Sequence, residues 1–230
     1  MTTEQLLLYV LFPIAGYLLG SIPFGWLIGK SKGVDIRTVG SKNIGATNLG
    51  RTLGKKFFWY AFLLDAAKGF FPVLFAAHLA QTGSFPAWTP LLTAAACVLG
   101  HNFPIWLKFK GGKGVATSLG VALGFWPLYT CGGIAGGLTF IFVLMVYRYI
   151  SLASIIAATA FAGTITILSQ KNPPGLHTEL APADLLPMIT IAWFFAGVII
   201  FRHRANISRL LKGTEPQVGQ KHVDKARLDK

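Results

Sequence analysis

Residues 40–51 combine small, polar and cationic side chains in one short run, Gly-Ser-Lys-Asn-Ile-Gly-Ala-Thr-Asn-Leu-Gly-Arg, between two apolar segments. The small residues let successive backbone N–H groups point at one phosphate, and hydroxyl and amide side chains add donors. An arginine can hold two phosphate oxygens at once. The run predicts a phosphate-binding loop, and a flexible basic loop that contacts anionic lipid headgroups is an equal alternative. The candidate residues are Ser41, Asn43, Gly45, Thr47, Asn48 and Arg51.

Residues 110–117, Lys-Gly-Gly-Lys-Gly-Val-Ala-Thr, have the same character. They come close to the nucleotide-binding P-loop pattern, but Gly114 stands where that pattern needs Ser or Thr, so nucleotide binding is not predicted. A glycine turn that leads into a helix presents N–H groups and a positive dipole end to an anion. A plain turn with a cationic flank is the alternative. The candidates are Gly111, Gly112, Lys113, Gly114 and Thr117.

A third polar group follows the last apolar segment. His203 and Asn206 are three residues apart and therefore share a helix face, and Glu215 follows nine residues later. A histidine at this place is otherwise an ordinary residue of the membrane interface. His101 stands near the membrane boundary, before the glycine turn.

Asp65 and Lys68 lie inside an apolar segment, also three residues apart. Ionisable groups at membrane depth are costly unless they are paired, and they indicate function by default. The two residues are therefore either functional or a buried structural ion pair.

Composition indicates an integral membrane protein. Of the 230 residues, 53% are hydrophobic and 13% are charged, whereas soluble domains are about 25% charged. Apolar runs near the roughly 20 residues that cross a bilayer predict an all-α, polytopic fold. One domain is predicted over residues 1–213, with a polar cytoplasmic tail at 214–230. The net charge of +13 follows from the positive-inside rule and does not indicate nucleic-acid binding.

Seven transmembrane spans are predicted, with the N-terminus outside and the C-terminus in the cytoplasm. Of the 21 Lys and Arg residues, all but Lys68 and Lys171 fall in polar segments on one side, which the positive-inside rule assigns to the cytoplasm. The fourth and fifth spans are short and are predicted to turn at residues 131–133; merging or dropping them gives five or six spans, and an even count misplaces the third polar group. The predicted spans are 6–29, 57–80, 88–107, 115–130, 133–147, 150–168 and 185–201, with an irregular loop at 169–184 and an interfacial helix at 202–213.

Several familiar catalytic patterns are missing from the sequence. None of the five His residues is followed by Asp at the fifth position, and there is no Gly-x-Ser-x-Gly elbow. His, Cys and carboxylate residues do not cluster at metal-ligand spacings. No metal or cofactor is predicted.

In order along the chain, Ser-Lys-Asn-Ile-Gly-Ala-Thr-Asn, Gly-Gly-Lys-Gly-Val-Ala-Thr and Gly-Thr-Glu-Pro resemble the motifs of the PlsY family of bacterial membrane acyltransferases. The resemblance extends over residues 20–216, although the loop at 169–184 is longer than the core of the family needs. It implies that an acyl group moves from acyl phosphate to the 1-hydroxyl of glycerol 3-phosphate, giving lysophosphatidic acid and phosphate. This is the first acylation step of bacterial phospholipid synthesis.

The resemblance also implies partners and a location. The active site would face the cytoplasm from the inner membrane, within the lipid bilayer. The enzyme would need no CoA, acyl carrier protein or other cofactor. It would be linked in function to a soluble enzyme that produces acyl phosphate.

Roles for individual residues follow as a hypothesis from this resemblance. Lys113 and its turn would hold one phosphate, and Ser41, Arg51 and Asn206 the other. His203 would contact a phosphate oxygen or position the attacking hydroxyl. Direct displacement is predicted, and an acyl-enzyme on Ser41 with a histidine base is the alternative. The residues expected to support the site are His101, Asp65, Lys68 and Glu215.

A transporter of organic phosphates is the other function class that the chain could fit. Seven spans, charges inside a span and glycine-interrupted motifs are typical of such proteins. Against it, no inverted repeat is apparent, and the polar motifs are predicted at one face of the membrane.

Overall fold

The computed structural model describes residues 3–83, 88–171 and 182–219, and within these ranges it contains helices and no strand. The prediction of an all-α fold is confirmed. A short 3-10 turn at Ile105–Leu107 precedes residues 110–117, the second polar stretch. The helices in chain order are α1 (Thr3–Gly20), α2 (Phe24–Ser31), α3 (Ala46–Leu53), α4 (Lys55–Gln81), α5 (Thr89–Asn102), α6 (Val115–Gly124), α7 (Leu128–Tyr147), α8 (Ile150–Lys171), α9 (Pro182–Arg202) and α10 (Arg204–Leu211).

Six segments of the described chain are long and apolar enough to cross a membrane. Helix α6 has 10 residues, which is about 15 Å of helix and about half of the hydrocarbon thickness. The seven predicted spans thus correspond to six full-length segments and one half-length helix. The orientation of the termini stays a prediction. The six segments are Tyr9–Ser31, Lys55–Gln81, Thr89–Leu107, Leu128–Tyr147, Ile150–Lys171 and Leu185–Arg202.

The predicted turn at residues 131–133 is wrong, because these residues lie inside α7. The chain turns earlier, just before Pro127, which caps the start of α7. The glycines of 131–133 serve close packing instead: a Cβ on Gly133 would lie 2.8 Å from the Ala122 side chain. A glycine pair permits both a turn and a close helix contact, and here packing decides.

The first predicted span is broken at Ser21–Pro23 into α1 and α2. Proline has no N–H to donate, so the helix ladder is interrupted here. The break leaves the carbonyl of Ile22 to accept a hydrogen bond of 2.6 Å from Lys68 Nζ. The predicted span 6–29 is therefore completely interrupted, and a charged side chain from α4 satisfies the carbonyl at the break.

The remaining boundaries are close to the predicted ones. Helix α8 continues to Lys171 and α9 begins at Pro182, so residues 172–181 of the predicted outer loop lie outside the described residues. Helix α10 confirms a helix in 202–213. Of the predicted tail, residues 220–230 lie outside the described part, whereas Glu215 is buried.

Two apolar cores hold these elements together. The larger one is formed by residues from every helix from α4 to α9 and includes Val98, Tyr129 and Phe195. The smaller one lies under residues 40–51, the first polar stretch. Its members Ile36 and Ile44 are almost completely buried. Burial of large aliphatic side chains anchors the loop between α2 and α3, so the alternative of a flexible loop does not describe it.

Helices α4 and α6 approach each other closely through glycines. A Cβ on Gly120 would overlap the carbonyl of Ala66, and a Cβ on Gly69 would overlap the carbonyl of Thr117. Membrane helices use small residues at such contacts to bring backbones together. This packing fixes the half-length α6, and with it the glycine turn at its start, against the longest helix of the protein.

We expect Gly120→Ala to lower the free energy of unfolding by about 1–3 kcal/mol, because the added methyl group meets backbone that has no room to move. Gly137→Ala on α7 is the matched control, since a Cβ there has nothing within 4 Å. It should leave stability within about 1 kcal/mol of the wild type. Thermal unfolding in detergent measures both variants, and equal melting temperatures for the two would contradict the close packing.

Candidate functional site

One buried amide organises the first polar stretch. Asn48, which is 1% exposed, donates from Nδ2 to the carbonyls of Ile36 (2.8 Å), Val39 (3.1 Å) and Asn43 (2.9 Å). Its Oδ1 accepts a hydrogen bond of 2.9 Å from the backbone N–H of Ser41. The side chain predicted to bind phosphate thus lies inside the loop and holds its backbone in one shape.

Arg51 lies about one and a half turns from the start of α3, on the exposed side. Its guanidinium is 3.5 Å from the carbonyl of Pro216, next to Glu215 in sequence. At the start of the helix, the N–H of Gly45 donates to Asn43 Oδ1 at 2.9 Å. Arg51 is therefore a cation held close to the site whose charge is not neutralised by a direct ion pair within the described residues.

The second polar stretch is a tight turn that rests on the end of α5. The N–H of Gly112 donates to the carbonyl of His101 at 3.1 Å, and a Cβ on Gly112 would overlap the His101 ring. Gly114 has φ +82 and lies against the side chain of Asn102. That backbone conformation and the absence of space explain why glycine occupies these positions.

Arg202 holds the same turn from the other side. It donates from Nε to the carbonyl of Gly112 at 2.9 Å and from a terminal nitrogen to the carbonyl of Gly111 at 2.6 Å. The acceptor groups of the turn are thereby used within the protein. The first N–H groups of a helix have no partner within that helix, so those at the start of α6 can donate to an anion beside the Lys113 cation.

The turn is connected to the third polar group, which consists of His203, Asn206 and Glu215, by a chain of hydrogen bonds. Lys113 Nζ donates to Asn206 Oδ1 at 2.5 Å, and Asn206 Nδ2 donates to Glu215 Oε1 at 2.6 Å. Glu215 also accepts hydrogen bonds of 2.7 Å from Ser151 Oγ and from Arg209 Nε. This network joins the start of α6 to α8 and α10, and it places the lysine and the amide beside each other.

The network changes the ionisation of its members. Burial alone would raise the pKa of Glu215, but hydrogen bonds from Asn206, Ser151 and Arg209 outweigh it and hold that pKa below the ordinary value. Burial lowers the pKa of Lys113 to about 8; the Glu215 carboxylate offsets part of this effect, and nearby arginines add to it. Lys113 is therefore a cation at neutral pH that loses its proton more readily than an exposed lysine.

His203 is buried, at 2% exposure, where α9 ends. Its Nδ1 lies 2.8 Å from the carbonyl of Ile199, an acceptor, so Nδ1 carries the proton and Nε2 is left as an acceptor. Burial, together with the charge of Lys113, lowers the pKa of His203 to about 4. The imidazole is neutral at physiological pH.

Some of these groups line two adjoining cavities, and Arg202 lines both. The first, named the Lys113 cavity, has a volume of about 240 Å³, and the second, named the Lys42 cavity, about 560 Å³. The Lys113 cavity is lined by Ser41, Asn43, Lys113, Arg202, Arg204, Ala205, Asn206 and Arg209. The Lys42 cavity is lined by Asp35, Arg37, Thr38, Lys42, Ile44, Phe109, Lys110, Gly111 and Arg202.

The structure separates the predicted site residues into those on the cavities and those behind them. Five line a cavity, and twelve lie at the rim or in the supporting layer, where Thr117 is buried on α6 against α4. Those on a cavity are Ser41, Asn43, Gly111, Lys113 and Asn206. The others are Gly45, Thr47, Asn48, Arg51, Asp65, Lys68, His101, Gly112, Gly114, Thr117, His203 and Glu215.

Several residues of the site were not predicted, among them Ser151, Arg202, Arg204 and Arg209. The three arginines are adjacent to or near His203 and Asn206 in sequence, and that proximity was the available signal. Ser151 follows the turn at Arg148 and belongs to no motif, so only the fold brings it to Glu215.

Asp65 and Lys68 form the predicted pair, with Nζ and Oδ1 2.8 Å apart. His101 Nδ1 lies 3.6 Å from the same Asp65 oxygen, and all three side chains are buried. Within residues 3–83, 88–171 and 182–219, no three His, Cys, Asp or Glu side chains are grouped as metal ligands.

Comparisons with known proteins agree on one family. Residues 10–213 match the family described as glycerol-3-phosphate acyltransferase. The glycerol-3-phosphate acyltransferase of Geotalea daltonii is 44% identical over 215 residues, covering 94% of this chain and 97% of its own. That of Trichlorobacter lovleyi is 47% identical over 206 residues, covering 89% and 95%.

Solved structures of PlsY, an integral membrane glycerol 3-phosphate acyltransferase, have a similar fold. Its glycerol 3-phosphate form superimposes with a TM-score of 0.77 at 39% identity, covering 92% of this chain and 96% of that chain. Its lysophosphatidic acid form gives a TM-score of 0.75 at 38% identity, covering 92% and 95%. The chain therefore belongs to the glycerol-3-phosphate acyltransferase family, as an integral membrane protein of the PlsY type.

Proposed function

We propose that the protein transfers a fatty acyl group from acyl phosphate to the 1-hydroxyl of sn-glycerol 3-phosphate, at the cytoplasmic face of the inner membrane. The products are 1-acylglycerol 3-phosphate, which is lysophosphatidic acid, and inorganic phosphate. The observation that carries the proposal is the Lys113 cavity, whose wall contains four cationic side chains and no carboxylate. Both proposed substrates bring a phosphate group, and such a wall suits them.

The relatives support the acceptor and the product of this reaction. The two PlsY structures are of forms with glycerol 3-phosphate and with lysophosphatidic acid. Membership of the acyltransferase family also argues against the transporter alternative. Acyl phosphate as the donor is inferred from the motifs and from the cationic cavity, and it would come from a soluble enzyme that produces it.

Direct displacement is the mechanism that we propose. The 1-hydroxyl oxygen attacks the acyl carbonyl carbon, and the bond between that carbon and the phosphate oxygen breaks. Lys113 and its turn hold one phosphate, and Ser41, Arg51 and Asn206 hold the other. These cations and donors stabilise the negative charge that develops on the leaving phosphate. A phosphate oxygen takes the hydroxyl proton, so inorganic phosphate leaves with the electron pair and the charge balances.

The ionisation of His203 supports this scheme. A neutral imidazole with a pKa of about 4 is a weak base, and its Nε2 accepts a hydrogen bond well enough to orient the attacking hydroxyl. An acyl phosphate is already activated, so positioning and electrostatic stabilisation suffice.

The acyl-enzyme alternative finds less support. Within the described residues, no hydrogen bond joins Ser41 to a histidine, and His101 is buried behind the glycine turn. A serine nucleophile needs a base within hydrogen-bond reach. Incubation with acyl-labelled palmitoyl phosphate, without glycerol 3-phosphate, should therefore leave no label on the protein.

We expect purified protein in detergent to form lysophosphatidic acid and inorganic phosphate in equal amounts from palmitoyl phosphate and glycerol 3-phosphate. Palmitoyl-CoA and palmitoyl thioester of acyl carrier protein should give no product, because the site is proposed to hold a phosphate that is bonded directly to the acyl carbon, and a thioester has sulfur there. Chromatography of the lipid and a phosphate assay measure both products. Turnover with a thioester alone would overturn the proposed donor.

Arg51→Ala should lower kcat/KM by about 10²–10³, the usual loss when one donor to developing charge is removed. The residue is exposed, so the fold should survive the change. Lys55→Ala, which removes an exposed cation four residues later, is the matched control and should retain full activity. Full activity of a folded Arg51→Ala variant would refute the phosphate clamp.

The pKa of about 8 at Lys113 predicts the pH dependence of the free enzyme. The side chain is charged below that pH and neutral above it, so kcat/KM should fall as pH rises through about 8. Lys113→Arg keeps the charge, so the fall should disappear even where the activity is lower. Lys55→Arg is the control and should keep the wild-type profile. A fall that persists in Lys113→Arg would assign the titration to another group.

A further inference from the structure

The buried pair in α4 lies directly behind the glycine turn, and His101 is the connection. Its Nδ1 is 3.6 Å from Asp65 Oδ1, and the opposite edge of its ring lies against Gly112. The carbonyl of the same residue accepts the N–H of Gly112 at 3.1 Å. Any movement of the His101 ring is therefore transmitted to the backbone that precedes Lys113.

The other member of the pair reaches the first polar stretch. Lys68 Nζ donates at 2.6 Å to the carbonyl of Ile22, in the break between α1 and α2. Helix α2 in turn lies against the first polar stretch, since a Cβ on Gly25 would overlap the carbonyl of Ile44. The buried pair is thus in contact with the supports of both stretches that are proposed to hold phosphate.

The energetics argue that such a pair has a use beyond stability. Removing two charges from water costs several kcal/mol per ion, and well-packed neutral side chains of similar volume often hold a fold as well or better. Close helix packing already joins α4 to its neighbours through Gly69 and Gly120. What the charges add is direction: Lys68 Nζ donates to the Ile22 carbonyl, and the Asp65 carboxylate lies 2.8 Å from Lys68 Nζ and 3.6 Å from His101 Nδ1.

We propose that Asp65, Lys68 and His101 are positioning residues that fix the separation of the two phosphate-binding stretches, and hence of the two substrates. Lys68 fixes the position of the break before α2. Asp65 fixes the orientation of the His101 ring, and that ring fixes the position of the glycine turn. Arg202 holds that turn from the side of the cavities. None of the three touches a substrate. The inference rests on the proposed function, because it concerns the distance between two bound phosphates.

The test uses the double variant Asp65→Asn/Lys68→Met, which removes both charges together and leaves neither one buried alone. We expect its melting temperature to stay close to that of the wild type, because the Ile22 carbonyl keeps the hydrogen bond from the Phe24 N–H. Its kcat should fall about a hundredfold, since a misplacement near 1 Å has that effect. The Kd of glycerol 3-phosphate, measured by calorimetry, should stay within about threefold, because each stretch keeps its own donors.

Two further variants separate positioning from a general loss of structure. His101→Leu should lower kcat to a similar extent, and adding it to the double variant should cause little further loss, because the three residues act as one unit. Thr93→Val, another buried polar side chain on α5, is the matched control. It should leave kcat and Kd unchanged.

Turnover is measured with whichever acyl donor the wild-type protein accepts, so failure of the acyl-phosphate proposal and failure of this one are separate results. A double variant with wild-type kcat would show that the pair is structural only. Loss of glycerol 3-phosphate binding together with kcat would show that the cluster builds a binding site and does not set a separation. The proposal would also be overturned if the fold-loss of kcat in the triple variant equalled the product of the losses in His101→Leu and in the double variant.

Discussion

The arrangement of the site depends on the negative charge and the hydrogen bonds of the Glu215 carboxylate. Several cations must lie close together in a chain that is otherwise apolar, and like charges at such distances repel one another. Glu215 offsets that repulsion with one negative charge placed behind the cavity wall, and it fixes Asn206 and Arg209 by hydrogen bonds of 2.6 and 2.7 Å. Through Asn206 it also sets the place of Lys113. The wall of the Lys113 cavity, the proposed phosphate site, thus stays cationic, while Glu215 partly neutralises the charge behind it.

The fold serves this arrangement by bringing helix ends to one place. The glycine turn precedes α6, the His203 group follows α9, and Ser151 lies in the first turn of α8. Local composition alone predicts which stretches are polar, because glycine, lysine and asparagine clusters are conspicuous in an apolar chain. Hydropathy likewise predicts seven spans; six of them correspond to long apolar segments of the described chain, and the seventh corresponds to the short helix α6.

What the sequence left open depends on contacts between distant residues. Whether Gly132 and Gly133 make a turn or a helix contact is decided by Ala122 and Ile165, which come from other helices. Asn48 was predicted among the donors for phosphate, yet its amide points into its own loop because three carbonyls converge on it. Ser151 carries no local signal at all. Side-chain direction, unlike polarity, is a property of the folded chain.

The rigidity of the first polar stretch bears on the chemistry. Ile36 and Ile44 anchor that loop from below, and Asn48 holds it from within, so its donors would need no ordering to bind a phosphate as proposed. Donors fixed in advance stabilise developing charge without reorganisation, which is how electrostatic catalysis is most effective. A strong protein base would add little to the proposed reaction, because its donor is already activated. A site that keeps its histidine neutral, with a pKa of about 4, and places cations near it suits the proposed holding and neutralising of phosphates better than the removal of protons.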